Sequence, residues 1–492
     1  METETWGLGA TRRLARYAVE TTYADLPADV IQQAKCAIRD SLGCLLGGSS
    51  MAGAQPVRDL ALSMAADGPA TVAGSGRRVA PPLAGYVNAQ LANLLDYDDT
   101  MAEGDPGHPG ATVIPAALAL AEQVGSSGKD FLTAVVVGYD LYSRVSRAGQ
   151  PSPERSKQVR GMATWQVFGA AAATASILRL DPDTAARALG LAALHAPVPF
   201  LGKFYEERPI WGLKNNFGWA VMGGILAALY AARGLDANQK ILEGPSGFWA
   251  MAGSDRYCPK RLTEDLGRSV PQRDPSYKPS PCCRFTHSAL DAIEQIVSTD
   301  GIRCDEVESV RIYSTSKVRV FADYRPQTLT DSQYSLPYLA ALRLLRVPVG
   351  YEWALGARWL DPDVLSLADR VHLEVDAGME AGHVPGLMPA RVKVSLFSGC
   401  SHEAEVTHAR GHRLNPMSDD ELSSKFFSLA KPVVGLKASE RLEALIEGLE
   451  ELPDIVQLTR CLAAVSYTHL RAHETVLVIS YAVFCLKMGG GG

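Results

Sequence analysis

The sequence predicts a mainly α-helical protein, a large all-α domain into which a smaller α+β domain is inserted. Three observations predict it. Ala- and Leu-rich runs with apolar residues at helical spacing fill the first half of the chain. Apolar and polar residues then alternate around 310–314, 371–375 and 392–396, as in strands with one buried face. Helical spacing returns after Asn415.

In order, Leu26-Pro27-Ala28-Asp29 opens a helix whose apolar positions Ile31, Ala34, Ile38, Leu42 and Leu45 share a face as far as Gly47-Gly48. Amphipathic runs follow at 55–66, 81–95, 111–124, 128–147, 163–178, 182–194 and 213–233, and their many Ala residues permit close helix contacts. After Tyr257 a stretch rich in Pro and charge reads as a linker. A helix near 285–299, the alternating segments and helical runs at 333–346 and 361–369 make up the α+β part. Ser418 before Asp419-Asp420-Glu421 is a capped helix start, and the helices from there to 462 complete the first domain. The boundaries are 5–258 for the all-α domain, 259–408 for the α+β domain and 409–463 for the closing helices. Residues 464–492 are expected to be a non-native tail, because VSYTHLRAHETVLVISYAVFCLKMGGGG resembles translated sequencing-adapter read-through; His469 and His473 are set aside with it.

A chain of 492 residues suits two or three domains. With 47% hydrophobic and 21% charged residues it is of the soluble globular class. A net charge of -6 without a basic stripe argues against nucleic-acid binding, whereas a local cluster of Lys and Arg still suits a small anion. The N-terminus lacks a secretory pattern and no apolar run reaches about 18 residues, so no membrane partner is expected. Nine cysteines, scattered apart from Cys282-Cys283, describe no disulfide framework, zinc site or iron–sulfur cluster and point to a reducing cytoplasm.

Two stretches carry the chemistry. Residues 95–115, LDYDDTMAEGDPGHPGATVIP, put Asp96, Asp98, Asp99, Thr100 and His108 on one loop between helical runs. The competing reading is a helix end and the cap of its successor. Asp96-Tyr97-Asp98-Asp99 also matches the DxDD pattern of terpene cyclases, but those enzymes line large cavities with aromatic residues, which are 7% of this chain. Residues 277–287, YKPSPCCRFTH, form a Pro-fixed extended loop that brings Lys278, Arg284 and His287 to a helix start, a place suited to a carboxylate. A hinge loop with solvated charges competes here. His402, His408 and His412 read as structural or exposed, since Gly411 interrupts the ligand spacing, and His195 as a satisfied core histidine.

Together these stretches resemble the MmgE/PrpD family, which includes 2-methylcitrate dehydratases, cis-aconitate decarboxylases and iminodisuccinate epimerases. LPADVIQQAKCAIRDSLGCLLGG, LANLLDYDDT, HPGATVIPAALALAEQV, VFGAAAATASILRLDPD, GGILAALYAARGL, KPSPCCRFTHSALDAIE, DSQYSLPYLAALRLL and NPMSDDELSSKFFSLA occur in the family's order and cover nearly all of residues 10–463. The resemblance implies an all-α domain with an inserted α+β lid, a homodimer, and an active site between the domains that needs neither metal nor cofactor. Asp96, Thr100 and His108 match the family's acid, hydroxyl and imidazole, Lys278 its lid lysine, and Tyr338 a tyrosine used by some members. Lys214 approximates a further basic position. One departure is plain: RGMATWQVFGAAAA lacks the second His that several decarboxylases carry before the Ala-rich helix.

The chemistry so implied is proton removal beside a carboxylate. Lys278, with Arg284, His287 or Lys214, would bind and stabilise the accumulating negative charge. His108 is the candidate base, Asp96 its orienting partner, and Thr100 or Tyr338 would serve a substrate oxygen. The first expectation is a dehydratase acting on a small di- or tricarboxylate such as 2-methylcitrate. A cis-aconitate-type decarboxylase and an iminodisuccinate-type epimerase are the alternatives on the same scaffold, and a non-catalytic helical binding protein is the alternative of another class.

Overall fold

The computed structural model describes residues 7–101, 107–159, 163–198, 212, 214–267, 275–382, 384 and 386–463. The tail reading for 464–492 lies outside the described residues. The chain is mainly helical. Its first part runs through α1 (Ala10–Glu20), α2 (Ala28–Ser49), α3 (Ala54–Met64), α4 (Pro81–Asn93), α5 (Gly110–Val124), α6 (Gly128–Ala148), α7 (Pro153–Val159), α8 (Gln166–Ile177), α9 (Pro182–Leu194) and α10 (Asn215–Ala232). The sequence reading assigns no helix to α1, which buries Leu14, Ala15 and Ala18.

Local signals start these helices. Pro81 and Pro82 occupy the first turn of α4, where a missing N–H is harmless. Ser127 caps α6 by accepting from the Asp130 N–H at 3.1 Å, and Asp181 caps α9 through the N–H groups of Asp183 and Thr184. Helices α4, α5, α8 and α10 pack around an apolar core that includes Leu91, Val113, Phe168, Phe217 and Ile225. At the α2–α4 contact a Cβ on Gly48 would lie 2.0 Å from the Leu91 carbonyl oxygen, so only glycine allows that approach.

Two short ladders interrupt the helices. β1 (Ala70–Val72) and β2 (Arg77–Val79) form a hairpin. β3 (Thr100–Met101) pairs antiparallel with β4 (Pro275–Ser276), Thr100 opposite Ser276, and so ties the loop after α4 to the segment entering a second apolar core. Strands of two or three residues are too short to show alternation, which is why the sequence reading passes over them.

The second core takes in residues from Cys282 to Val406. Its sheet has the order β6-β5-β7-β8. β5 (Val307–Ser314) and β6 (Val371–Val375) are parallel; β7 (Ala390–Leu396) and β8 (Ser401–Val406) continue antiparallel. Val307, Val310 and Ile312 of β5 are buried out of strict alternation because the register shifts between Val307 and Ser309. α11 (His287–Asp300) covers β7 and β8, and α12 (Leu336–Leu344) packs on α11.

The chain then returns to the first core. α13 (Asp419–Val434), α14 (Leu436–Glu447) and α15 (Val456–Ala463) contribute Phe426, Leu429, Leu442 and Leu458 to it. Ser418 and Glu421 form the expected reciprocal cap at the start of α13. Buried Arg39 of α2 pairs with Asp419, Glu443 and Glu447, fastening α13 and α14 against α2. Among the described residues, no helix is long and apolar enough to cross a membrane.

Candidate active site

The loop between α4 and α5 turns at Asp96, whose φ of 49° lies in the left-handed region that Asp tolerates better than most residues. The Asp96 N–H donates to the Asn93 carbonyl at 2.9 Å and fixes the turn. Three neighbouring acids thereby face three different partners, all buried. Asp96 Oδ1 accepts from Lys278 Nζ at 2.9 Å, and Lys214 Nζ, at the start of α10, lies 3.4 Å from the same oxygen. Asp98 Oδ2 lies 3.0 Å from His108 Nδ1, while its Oδ1 accepts from Asn93 Nδ2 at 2.8 Å. Asp99 accepts from the Gly110 N–H at 2.9 Å, at the first residue of α5, and from the Tyr139 hydroxyl at 2.9 Å.

Burial pushes each of these carboxyls upward, and the neighbours decide the outcome. At Asp96 burial is outweighed by the Lys214 and Lys278 ammoniums, which hold the carboxyl below its usual range. At Asp98 the charge and hydrogen bond of His108 prevail over burial, again downward. At Asp99 burial and the charges of Asp40 and Asp98 outweigh the hydrogen bonds from Tyr139 and Gly110, and the carboxyl is pushed up to about 8. Lys278 is raised, since Asp96 and Asp98 overcome burial; for Lys214 burial prevails and the shift is downward. Among the described residues, Lys214 Nζ and Asp96 Oδ2 make no hydrogen bond.

An ionised Asp98 fixes His108 with its proton on Nδ1, which leaves Nε2 free to exchange a proton. The His108 ring stands edge-on to Phe217, centroids 5.4 Å apart. The imidazole is thus oriented by Asp98, not by Asp96 as the sequence reading expects, because Asp96 faces the two lysines. Asp98 and its support Asn93 are the residues missed as contributors; the signal was the D-x-D spacing ahead of a lone His.

The other expected residues lie as follows. Thr100 is buried in β3, its Oγ1 3.5 Å from the Ser276 carbonyl oxygen. Tyr338 is buried on α12; its hydroxyl has no hydrogen-bond partner among the described residues, and the charged groups bearing on it are Arg358 and Asp361. The Arg284 guanidinium donates to the carbonyls of Arg410 (2.8 Å) and Ala409 (3.4 Å), so it is engaged by the segment that follows the second core. His287 Nε2 lies 3.3 Å from the Cys282 carbonyl oxygen, and burial, with Arg284 and Lys278, holds it well below the usual histidine range. Away from the loop, His402 in β8 pairs with Asp300 at 2.8 Å and His195 Nδ1 meets the Gly223 carbonyl at 3.0 Å.

Asp96, Asp98 and His108 offer ligand atoms within 4.8 Å of one another, a spacing that would admit a metal ion. Two ammonium groups already face Asp96, however, and their repulsion of a further cation makes the site better suited to an anion.

Comparison with known proteins agrees with the resemblance seen in the sequence. A cis-aconitate decarboxylase-like protein of Aspergillus oryzae is 28% identical over 475 residues, 91% of this chain and 96% of that protein. The cis-aconitate decarboxylase of Homo sapiens is 26% identical over 450 residues, covering 88% and 90%, and that of Aspergillus terreus 25% identical over 484 residues, covering 92% and 96%. The MmgE/PrpD N-terminal domain matches residues 12–258 and the MmgE/PrpD C-terminal domain residues 280–451. With both halves matched in order, this chain belongs to the MmgE/PrpD family.

Proposed function

We propose that this chain is a lyase acting on a small di- or tricarboxylate, and that it removes CO2 from a substrate of the cis-aconitate type. One observation carries the reading: two buried ammonium groups, Lys278 and Lys214, converge on Asp96 beside the Asp98–His108 pair. When CO2 leaves cis-aconitate, its bonding electrons pass into the adjacent double bond and onto a remaining carboxylate. Fixed cations aimed at that carboxylate stabilise the developing charge, and they are effective because the site is dry and needs little reorganisation. His108 then donates a proton to carbon through Nε2 while Asp98 holds the resulting ring in place. Thr100 and Tyr338 are assigned to substrate oxygens, and the α+β part to the role of a lid over the site. The same reading takes the working unit as a cytoplasmic homodimer.

Dehydration, the first expectation from sequence, is retained as the second reading on one observation. The stretch RGMATWQVFGAAAA lacks the second His that several decarboxylases carry before the Ala-rich helix, and Gln166 within it accepts from Thr112 Oγ1 at 2.8 Å. Incubating the purified protein with cis-aconitate, 2-methylcitrate and iminodisuccinate, with mass spectrometry as readout, separates the outcomes. Loss of 44 mass units, about that of CO2, is expected; loss of water selects dehydration, and deuterium wash-in without mass loss selects epimerisation. No change with any of the three would sink the lyase reading.

A further inference from the structure

Behind the site stands a further buried lysine that the proposed reaction does not use. Lys425, on α13, donates to Asp40 Oδ1 of α2 at 2.6 Å and to the Tyr97 carbonyl oxygen at 2.6 Å. Its ammonium also lies 4.0 Å from the centre of the Tyr97 ring, over its face. Tyr97 in turn donates its hydroxyl to the Pro279 carbonyl at 3.0 Å. Tyr97 sits between Asp96 and Asp98 in the chain, and Pro279 follows Lys278. One residue is therefore gripped at its carbonyl and ring face by α13 while its hydroxyl holds the backbone next to Lys278.

We propose that Lys425, acting through Tyr97, is a positioning residue that fixes Asp96 and Lys278 relative to each other. The inference rests on the function reading above only for its kinetic consequence. The charge of Lys425 is matched by Asp40, so the pair adds no net attraction for an anionic substrate; its effect is geometric. Asp96 is in a left-handed turn, and the carbonyls of Asp96 and Tyr97 are each held by a buried ammonium, Lys278 for the first and Lys425 for the second. Releasing the second leaves the turn anchored on one side only. The cost of misplacing a charge by about 1 Å in such a site is on the order of 100-fold in rate.

Lys425→Met alone would bury the Asp40 carboxylate unpaired and invites unfolding. The informative variant is therefore Asp40→Asn/Lys425→Met, which removes both charges together, with Tyr97→Phe as companion. Amide hydrogen exchange followed by mass spectrometry needs no substrate. In a variant whose circular dichroism matches wild type, peptides 93–101 and 275–283 are expected to exchange roughly 10-fold faster than in wild type, with α8 and α10 unchanged. On a substrate that the wild type converts, kcat is expected to fall about 10- to 100-fold with KM changed far less. The loss should not multiply with that of Tyr97→Phe, since both act through one side chain. Unchanged exchange in those two peptides, or multiplicative losses, would overturn the proposal. If the wild type converts none of the polycarboxylates, the lyase reading fails by itself, and the exchange comparison still decides the role of Lys425.

Discussion

Lys278 Nζ lies 2.9 Å from the Asp96 carboxylate and 2.7 Å from the Asp96 carbonyl oxygen, two hydrogen bonds between residues 182 positions apart. A single ammonium thus holds both the charge and the backbone of the turn that begins the site loop. Neither partner is solvated: Lys214 and Lys278 together favour the ionised Asp96, and Asp96 with Asp98 favours the ionised Lys278.

Replacing Lys278 by Met tests that dependence. Asp96 would keep only Lys214 at 3.4 Å, and unfolding in urea should show a loss of about 3 kcal/mol, the lower end for a broken buried pair. Asp96→Asn added to Lys278→Met should not recover that loss, because the buried Lys214 ammonium then loses its carboxylate partner. Turnover should not return in the double variant.

His108 and Asp98 give the second prediction. His108→Ala is expected to lower kcat by about 100- to 10,000-fold, the range for loss of a positioned proton donor. Asp98→Asn keeps the shape but no longer requires the proton on Nδ1, and should lower kcat strongly with little change in KM. Steady-state kinetics on the substrate identified by the panel, with circular dichroism to check folding, reads both.

Asp99 gives a prediction about pH. Its carboxyl titrates at about 8 in the folded chain, against 3.8 ordinarily. Between those values the unfolded chain has released a proton that the folded chain retains, so this group makes stability fall as pH rises through that window. Asp98 and Asp96 act oppositely: their carboxyls are lowered, their contribution is full above the ordinary range, and it is lost on acidification through the folded values. Urea midpoints at pH 5, 6.5 and 8 should decline less steeply for Asp99→Asn than for the wild type.

Gly110 gives the fourth. A Cβ there would lie 2.5 Å from Asp99 Oδ1 and 3.1 Å from the Tyr139 hydroxyl oxygen. Gly110→Ala must push Asp99 off the first N–H of α5, and should destabilise the protein by about 1–3 kcal/mol in urea unfolding. Gly125→Ala at the other end of α5 meets nothing within 4 Å but strains a backbone at φ 66°, and serves as a comparison for conformational strain alone.

Much of this arrangement was readable in the chain. Apart from α7, which buries no side chain, the helices from 28 to 232 declared themselves because Ala and Leu recur at helical spacing, and β5 to β7 because apolar and polar residues alternate. Lys278, Lys214 and His108 were each singled out, and the fold brings all three to the loop around Asp96. What stayed hidden was the division of labour among Asp96, Asp98 and Asp99. Adjacent acids are equivalent in sequence, and only the left-handed turn at Asp96 decides which one meets a lysine, an imidazole or a helix N-terminus. Lys425 was invisible for a similar reason: it reads as one more charge on an amphipathic helix, and its burial depends on α2 lying against α13.

The pairing of Asp40 with Lys425 spans 385 positions and so bears on the birth of the protein. A ribosome delivers the acid 385 residues before its base. Until then, closing the first helices over Asp40 means burying a carboxyl without its base. α13 is in this sense a latch, fitted after the helix it secures has left the tunnel.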